Sequence, residues 1–174
     1  MRKYSLQSGT TLVELILYVA IVAGLLVGVG GVSMNMFEAK AKGLAVGEVS
    51  ISASHALGVI EESVREAQSV TLPLIGTAST SLTLATASST SNPTVIRASG
   101  NNIEMIVGTQ SPILLFPSTL RVSNVQFQNV SYTGIGRQDS IRILFTVDSG
   151  TTTVEQSYRF TSAFSSTATI RSTQ

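Results

Sequence analysis

From Leu15 to Val32 every residue is apolar, glycine or tyrosine, an unbroken run of 18. At ~1.5 Å per helical residue such a run reaches ~27 Å, close to the ~30 Å hydrocarbon core of a bilayer. A membrane-length helix is therefore the first element this chain must accommodate. Directly ahead of the run stands a single carboxylate, Glu14, behind Gly9-Thr10-Thr11-Leu12-Val13. An acid carried from the interface into lipid costs ~2.5 to 3.5 kcal/mol on insertion scales, so Glu14 calls for a partner or a place at the boundary.

Residues Met1 to Gly9 contain Arg2 and Lys3 and no apolar run, so they lack the hydrophobic region of an ordinary secretory signal. Positive charge ahead of the span places the N-terminus in the cytoplasm and the bulk of the chain outside. Two readings of Glu14 follow. In one, Thr11-Leu12-Val13-Glu14 is a capping box, with Thr11 as N-cap and the Glu14 carboxylate returning to the Thr11 backbone N–H, favoured further by the positive end of the helix dipole. In the other, a peptidase cuts after Gly9, and the new α-amine of Thr10 sits at the membrane depth of Glu14. The two charges then compensate each other within a subunit or between neighbours.

The order of basic leader, Gly9, two small residues, Leu12-Val13-Glu14-Leu15 and a long apolar helix resembles the class III signal of type IV prepilins and type II secretion pseudopilins. The resemblance implies that Gly9 is the last leader residue read by a prepilin peptidase. Thr10 becomes the mature, N-methylated terminus, and Glu14 aligns incoming subunits in a filament. It also implies the partners: other pilin or pseudopilin subunits through the N-terminal helix, the prepilin peptidase, an inner-membrane assembly platform, and lipid before assembly. The implied location is the inner membrane in single-pass form, then a cell-surface or periplasmic filament. Thr10 stands where many members carry Phe or Met, and Gly31 where many major pilins carry a helix-bending proline. Gly28, Gly30 and Gly31 each weaken a helix by ~1 kcal/mol relative to alanine, which places local melting there in an assembled fibre.

From Met34 to about Val70 the pattern becomes amphipathic. Phe37, Ala41, Ala45, Val49, Ala53, Ala56, Ile60, Val64 and Ala67 recur at gaps of three or four and draw one narrow, alanine-rich stripe. Glu38 with Lys42 and Glu61 with Arg65 are helix-supporting pairs of ~0.2 to 0.5 kcal/mol each. His55, the sole histidine, falls on the polar side and reads as an ordinary exposed residue.

Pro73 ends the helical pattern, and residues 71–92 read as a Ser/Thr-rich solvated linker with one short strand at Ser81-Leu82-Thr83-Leu84. Asn129-Val130-Ser131 is a glycosylation sequon in form. Residues 93–174 read as an antiparallel β domain. Thr94 to Ala98 and Ile103 to Val107 flank the hairpin signal Ser99-Gly100-Asn101-Asn102. Further strands are expected at Ile113–Phe116, Leu120–Val130, Ile141–Val147, Val154–Phe160 and Thr167–Arg171, the third and fourth joined by Asp148-Ser149-Gly150-Thr151. Six or seven strands with one face on the amphipathic helix make an α+β fold, a long N-terminal helix packed on a C-terminal antiparallel sheet domain. This strand pattern is similar to that of minor pilins and minor pseudopilins.

Catalytic chemistry has little to work with. There is no cysteine, and neither a G-x-S-x-G nor a P-loop occurs. Glu104, Asp139, Asp148 and Glu155 are scattered, and Asp139 and Asp148 read as turn starters. No metal, cofactor or enzymatic activity is expected. The formal net charge is +1. A nucleic-acid surface therefore depends on whether Arg97, Arg121, Arg137, Arg142, Arg159 and Arg171 converge, and cross-strand partners are the expected outcome. Two other functions stay open: an uncleaved signal-anchor protein with a surface-binding domain, and a competence pseudopilin aiding DNA uptake.

Overall fold

The structure is a computed structural model that describes residues 11–132, 138–150 and 159–171, with the backbone alone at Glu38 and Ala41. One long helix, α1 (Leu12–Glu66), is followed by nine strands among the described residues. The chain up to Ala41 forms one compact unit and the chain from Lys42 a second. The first unit is helix alone across its described residues. The α+β class expected from the sequence is thus the class observed.

Within the second unit, Val49, Ala53, Ala56, Ile60 and Val64 are fully inaccessible to solvent. They are the core-facing part of the predicted stripe. Alanine at two of these positions lets a helix backbone approach its neighbours closely. Phe37, expected on the same stripe, is instead 72% exposed. It belongs to the helical unit, which offers no layer for it to bury against.

α1 ends at Glu66, a few residues before the predicted boundary, and Ser69–Leu72 forms β1. The local reason is readable: Val70 and Thr71 are β-branched, and Pro73 pushes Leu72 out of the helical region. The Gln68 amide has already turned to the Ala85 carbonyl at 2.8 Å, starting the sheet before the strand proper.

The remaining strands are β2 (Ala78–Ser79), β3 (Ser81–Ala85), β4 (Thr94–Ser99), β5 (Asn102–Val107), β6 (Ile113–Leu114), β7 (Arg121–Asn129), β8 (Ser140–Asp148) and β9 (Thr161–Thr169). They form two antiparallel sheets, β1-β3-β4-β5-β6 and β2-β7-β8-β9. Leu82, Leu84, Ile96 and Ile103 from the first sheet and Phe127, Ile141, Ile143, Phe145 and Val147 from the second join the helix stripe in one core. Full burial of such a side chain contributes ~1.5 to 3 kcal/mol. Phe116 meets Phe145 edge-on, with ring centroids 5.6 Å apart and an interplanar angle of 77°.

The short strand expected at Ser81-Leu82-Thr83-Leu84 forms as β3, but residues 71–92 are not a solvated linker: β3 lies between β1 and β4, with Leu82 and Leu84 fully buried in the core. The hairpin at Ser99-Gly100-Asn101-Asn102 forms as predicted, Ser99 opposite Asn102. Gly100 has φ +58, as glycine at the first central position of a type II′ turn requires. Gly108 is fixed more tightly, since a Cβ there would lie 2.1 Å from the Thr90 carbonyl oxygen. That contact seats the 86–93 connection. The partner of β8 differs from expectation: Asp148 pairs with Thr161, and β9 runs from there to Thr169, absorbing most of the predicted terminal strand. The predicted Val154–Phe160 strand lies almost wholly outside the described residues.

Candidate functional site

The start of α1 is built by Thr11. Its carbonyl accepts the Leu15 amide at 3.1 Å, and its Oγ1 accepts the Glu14 amide at 3.3 Å. These are the two bonds of an N-cap residue, and they place Glu14 at the third helical position. There the carboxylate faces the positive end of the helix dipole. Its Oε1 accepts the Tyr18 hydroxyl at 3.3 Å, one turn on along the same face, and not the Thr11 amide, so among the described residues only the Thr11 half of the expected capping box forms. Glu14 is exposed, so both contacts form at the helix surface.

The flanking side chains are apolar and uncovered. Leu12 and Val13 are each 75% exposed, and the large side chains from Leu15 to Val32 are exposed throughout. The most apolar 18-residue window has a mean hydropathy of 2.6 with none of it buried, so this helix is long and apolar enough to cross a membrane. Gly28, Gly30 and Gly31 lie within continuous α-helix, and a Cβ at any of them would meet nothing within 4 Å. No contact among the described residues requires glycine at those positions. Gly24 sits one turn before Gly28. Together they floor a shallow groove of about 350 Å³ between Leu25, Val29 and Val32. The signal for it was the four-residue spacing of Ala20, Gly24 and Gly28.

Arg2, Lys3, Gly9 and Thr10 lie outside the described residues. Of the positions expected to act in processing and registration, the structure places Glu14 alone. Comparison with protein-family models, with curated proteins and with solved structures finds no match to the chain.

The β unit holds its polar groups in structural tasks. His55 is exposed on α1, and among the described residues no three His, Cys, Asp or Glu side chains come together as a metal would need. Glu61 pairs with Arg65 at 2.9 Å as predicted, and also accepts the Ser166 hydroxyl of β9. Asp148 does start a turn, its Oδ1 accepting the Gly150 amide at 2.6 Å while Oδ2 meets Arg159 at 2.6 Å. Asp139 behaves differently from expectation. It is buried, and its carboxylate accepts the Val70 amide of β1 at 3.2 Å, bracing a strand from a distant part of the chain.

The sequon is structural. Asn129 is only 2% exposed, and its Nδ2 donates to the Pro73 carbonyl at 2.8 Å. Its Oδ1 accepts the amide and the hydroxyl of Ser131. The nitrogen that would carry a glycan is thus turned inward and occupied.

Two of the six arginines are held by carboxylates. Arg97 pairs with Glu104 at 2.5 Å in the first sheet, and Arg159 pairs with Asp148. Arg121 and Arg142 are exposed on the second sheet, Arg171 follows β9, and Arg137 lies outside the described residues. The hydrogen bond from Arg97 holds the Glu104 carboxyl below the usual carboxylate range. Burial pushes Asp148 upward, but bonds from Arg159, the Gly150 amide and Thr161 outweigh it, and the net direction is down.

Proposed function

We propose that this chain is a structural subunit of a type IV pilus or related pseudopilus, of the minor kind, cut after Gly9 and assembled through its N-terminal helix. The observation that carries the reading is a capped helix whose apolar first half is exposed, with one carboxylate at its third position. Such a helix requires lipid or other helices around it, and a neighbour's α-amine is the partner that would make the acid tolerable in either setting. The work proposed is mechanical, with no catalysis. Arg97 and Arg159 are already taken up in ion pairs, which does not favour the DNA-uptake variant.

The signal-anchor alternative draws on the same site, because the Thr11 cap and the Tyr18 bond give Glu14 a local role that needs no neighbour. Mass spectrometry of the protein from cells that contain a prepilin peptidase separates the two. The proposal expects a chain that begins at Thr10, with or without an added methyl group. A chain that begins at Met1 would establish the anchor.

A further inference from the structure

Strand β7 departs from regular pairing with β8 between Ser123 and Gln126, where it carries an extra residue. Asn124, at this bulge, is the single non-glycine residue with positive φ among those described, at +52. L-residues avoid this region, asparagine less than most, and a residue held there away from glycine's freedom often marks a place where its side chain is needed. Beside it, on the outer face of the second sheet, lies an open groove of about 370 Å³. Asn124 and Gln126 line it from β7, Arg142, Leu144 and Thr146 from β8, and Ser165 from β9. Arg142 is exposed and has no ion pair among the described residues, unlike Arg97 and Arg159.

We propose that this groove binds an acidic saccharide unit, independently of whether the chain is a filament subunit. Charge complementarity gives Arg142 the carboxylate of a uronic acid, which a guanidinium fork matches with two parallel bonds. Side-chain amides offer a donor and an acceptor each, and hydroxyls do both, so Asn124, Gln126, Thr146 and Ser165 suit neighbouring sugar hydroxyls. Leu144 supplies an apolar patch for the C–H face of the ring. The volume lies at the low end for ligand sites, the size for one or two sugar rings. Single-stranded nucleic acid fits less well, because it needs aromatic platforms and several cations. Phe145 and Phe164 border the groove, but Phe145 is buried in the core and Phe164 is part-buried against it, with ring centroids 5.9 Å apart. A pairing strand from another molecule is also disfavoured, since it would add along an edge of the sheet and not across the face that carries these side chains.

The experiment is calorimetric titration of the full chain in detergent micelles with dimers of galacturonate, glucuronate and mannuronate, and with the neutral galactose dimer. Saturable binding of at least one acidic dimer is expected, with the neutral dimer weaker. Arg142→Gln should weaken the acidic dimer by about tenfold or more, in line with the loss of a charged hydrogen-bonding partner. Asn124→Gly, which relieves the positive φ, should weaken binding while leaving the melting midpoint unchanged or higher. The proposal is overturned if none of the three acidic dimers binds, or if Arg142→Gln binds the acidic dimer as tightly as the parent. It is also overturned if acetate at equal concentration displaces the dimer, or if a single-stranded oligonucleotide binds more tightly than any saccharide.

Discussion

Glu14 holds two kinds of interaction that a single substitution can separate. Its backbone amide supplies the hydrogen of the Thr11 cap, whereas its carboxylate accepts from Tyr18 and, in the proposed assembly, faces a neighbour's α-amine. Alanine keeps the amide, so the cap and the helix start survive Glu14→Ala. Removing a carboxylate also eases the passage of this end into lipid. Cleavage and membrane insertion should therefore remain at parent levels in Glu14→Ala, while recovery of the chain in sheared filaments falls by tenfold or more, the scale of one lost charge pair worth about 1.4 kcal/mol. Quantitative immunoblotting of membrane and filament fractions measures both, and undiminished incorporation would remove the pairing role from Glu14.

Among the elements, α1 was the most legible, and its glycines yield the clearest experiment. The 18-residue apolar run and the three-and-four stripe are long periodic signals, and the buried positions from Val49 to Val64 fall where the stripe predicts. The Thr11 cap was readable from a four-residue motif. β3 was readable as a short strand at Ser81-Leu82-Thr83-Leu84, but its place in the core was not. Its Leu82 and Leu84 carry a full share of the core, but Ser, Thr and Ala surround them for many residues, and that composition is shared by strands and loops. β9 hides for the same reason, with Phe164 as its one large side chain. Asn129 was misleading in form, since a sequon says nothing about which way the amide turns. The bulge at Asn124 could not be foreseen, because it depends on the register between β7 and β8 and not on either strand alone. For α1 itself, Cβ atoms at Gly28, Gly30 and Gly31 meet open space. Replacing all three with alanine should therefore add helix stability of ~1 kcal/mol per site without a clash inside the chain. Hydrogen exchange of the full chain in micelles should show slower exchange across residues 24 to 35. If protection there is unchanged, the glycines are not what loosens this stretch.

At the scale of the whole molecule, acid is the informative perturbation, because two carboxylates that tie separate strands together have pKa values below their ordinary ones. Glu104 on β5 is held down by Arg97 on β4. Asp148 at the end of β8 is raised by burial but lowered further by Arg159, Gly150 and Thr161. A carboxyl whose folded pKa is depressed binds fewer protons folded than unfolded in the interval between the two values. Its contribution is complete above the unfolded pKa and is lost as pH falls through the folded one. With unfolded values of about 3.9 for Asp and 4.3 for Glu, the urea midpoint of the β unit should be flat between pH 7 and about 5 and then fall as the pH drops below about 4. The double variant Glu104→Gln with Asp148→Asn should start from a lower midpoint at pH 7 and fall less steeply, converging on the parent in acid. Both partners, Arg97 and Arg159, are about half exposed, so water screens these pairs and the effect will be a shallow slope, not a collapse. Far-UV circular dichroism in urea at pH 7, 5, 4 and 3 reads it directly. Equal slopes in parent and double variant would mean that other carboxylates set the acid limit of the fold.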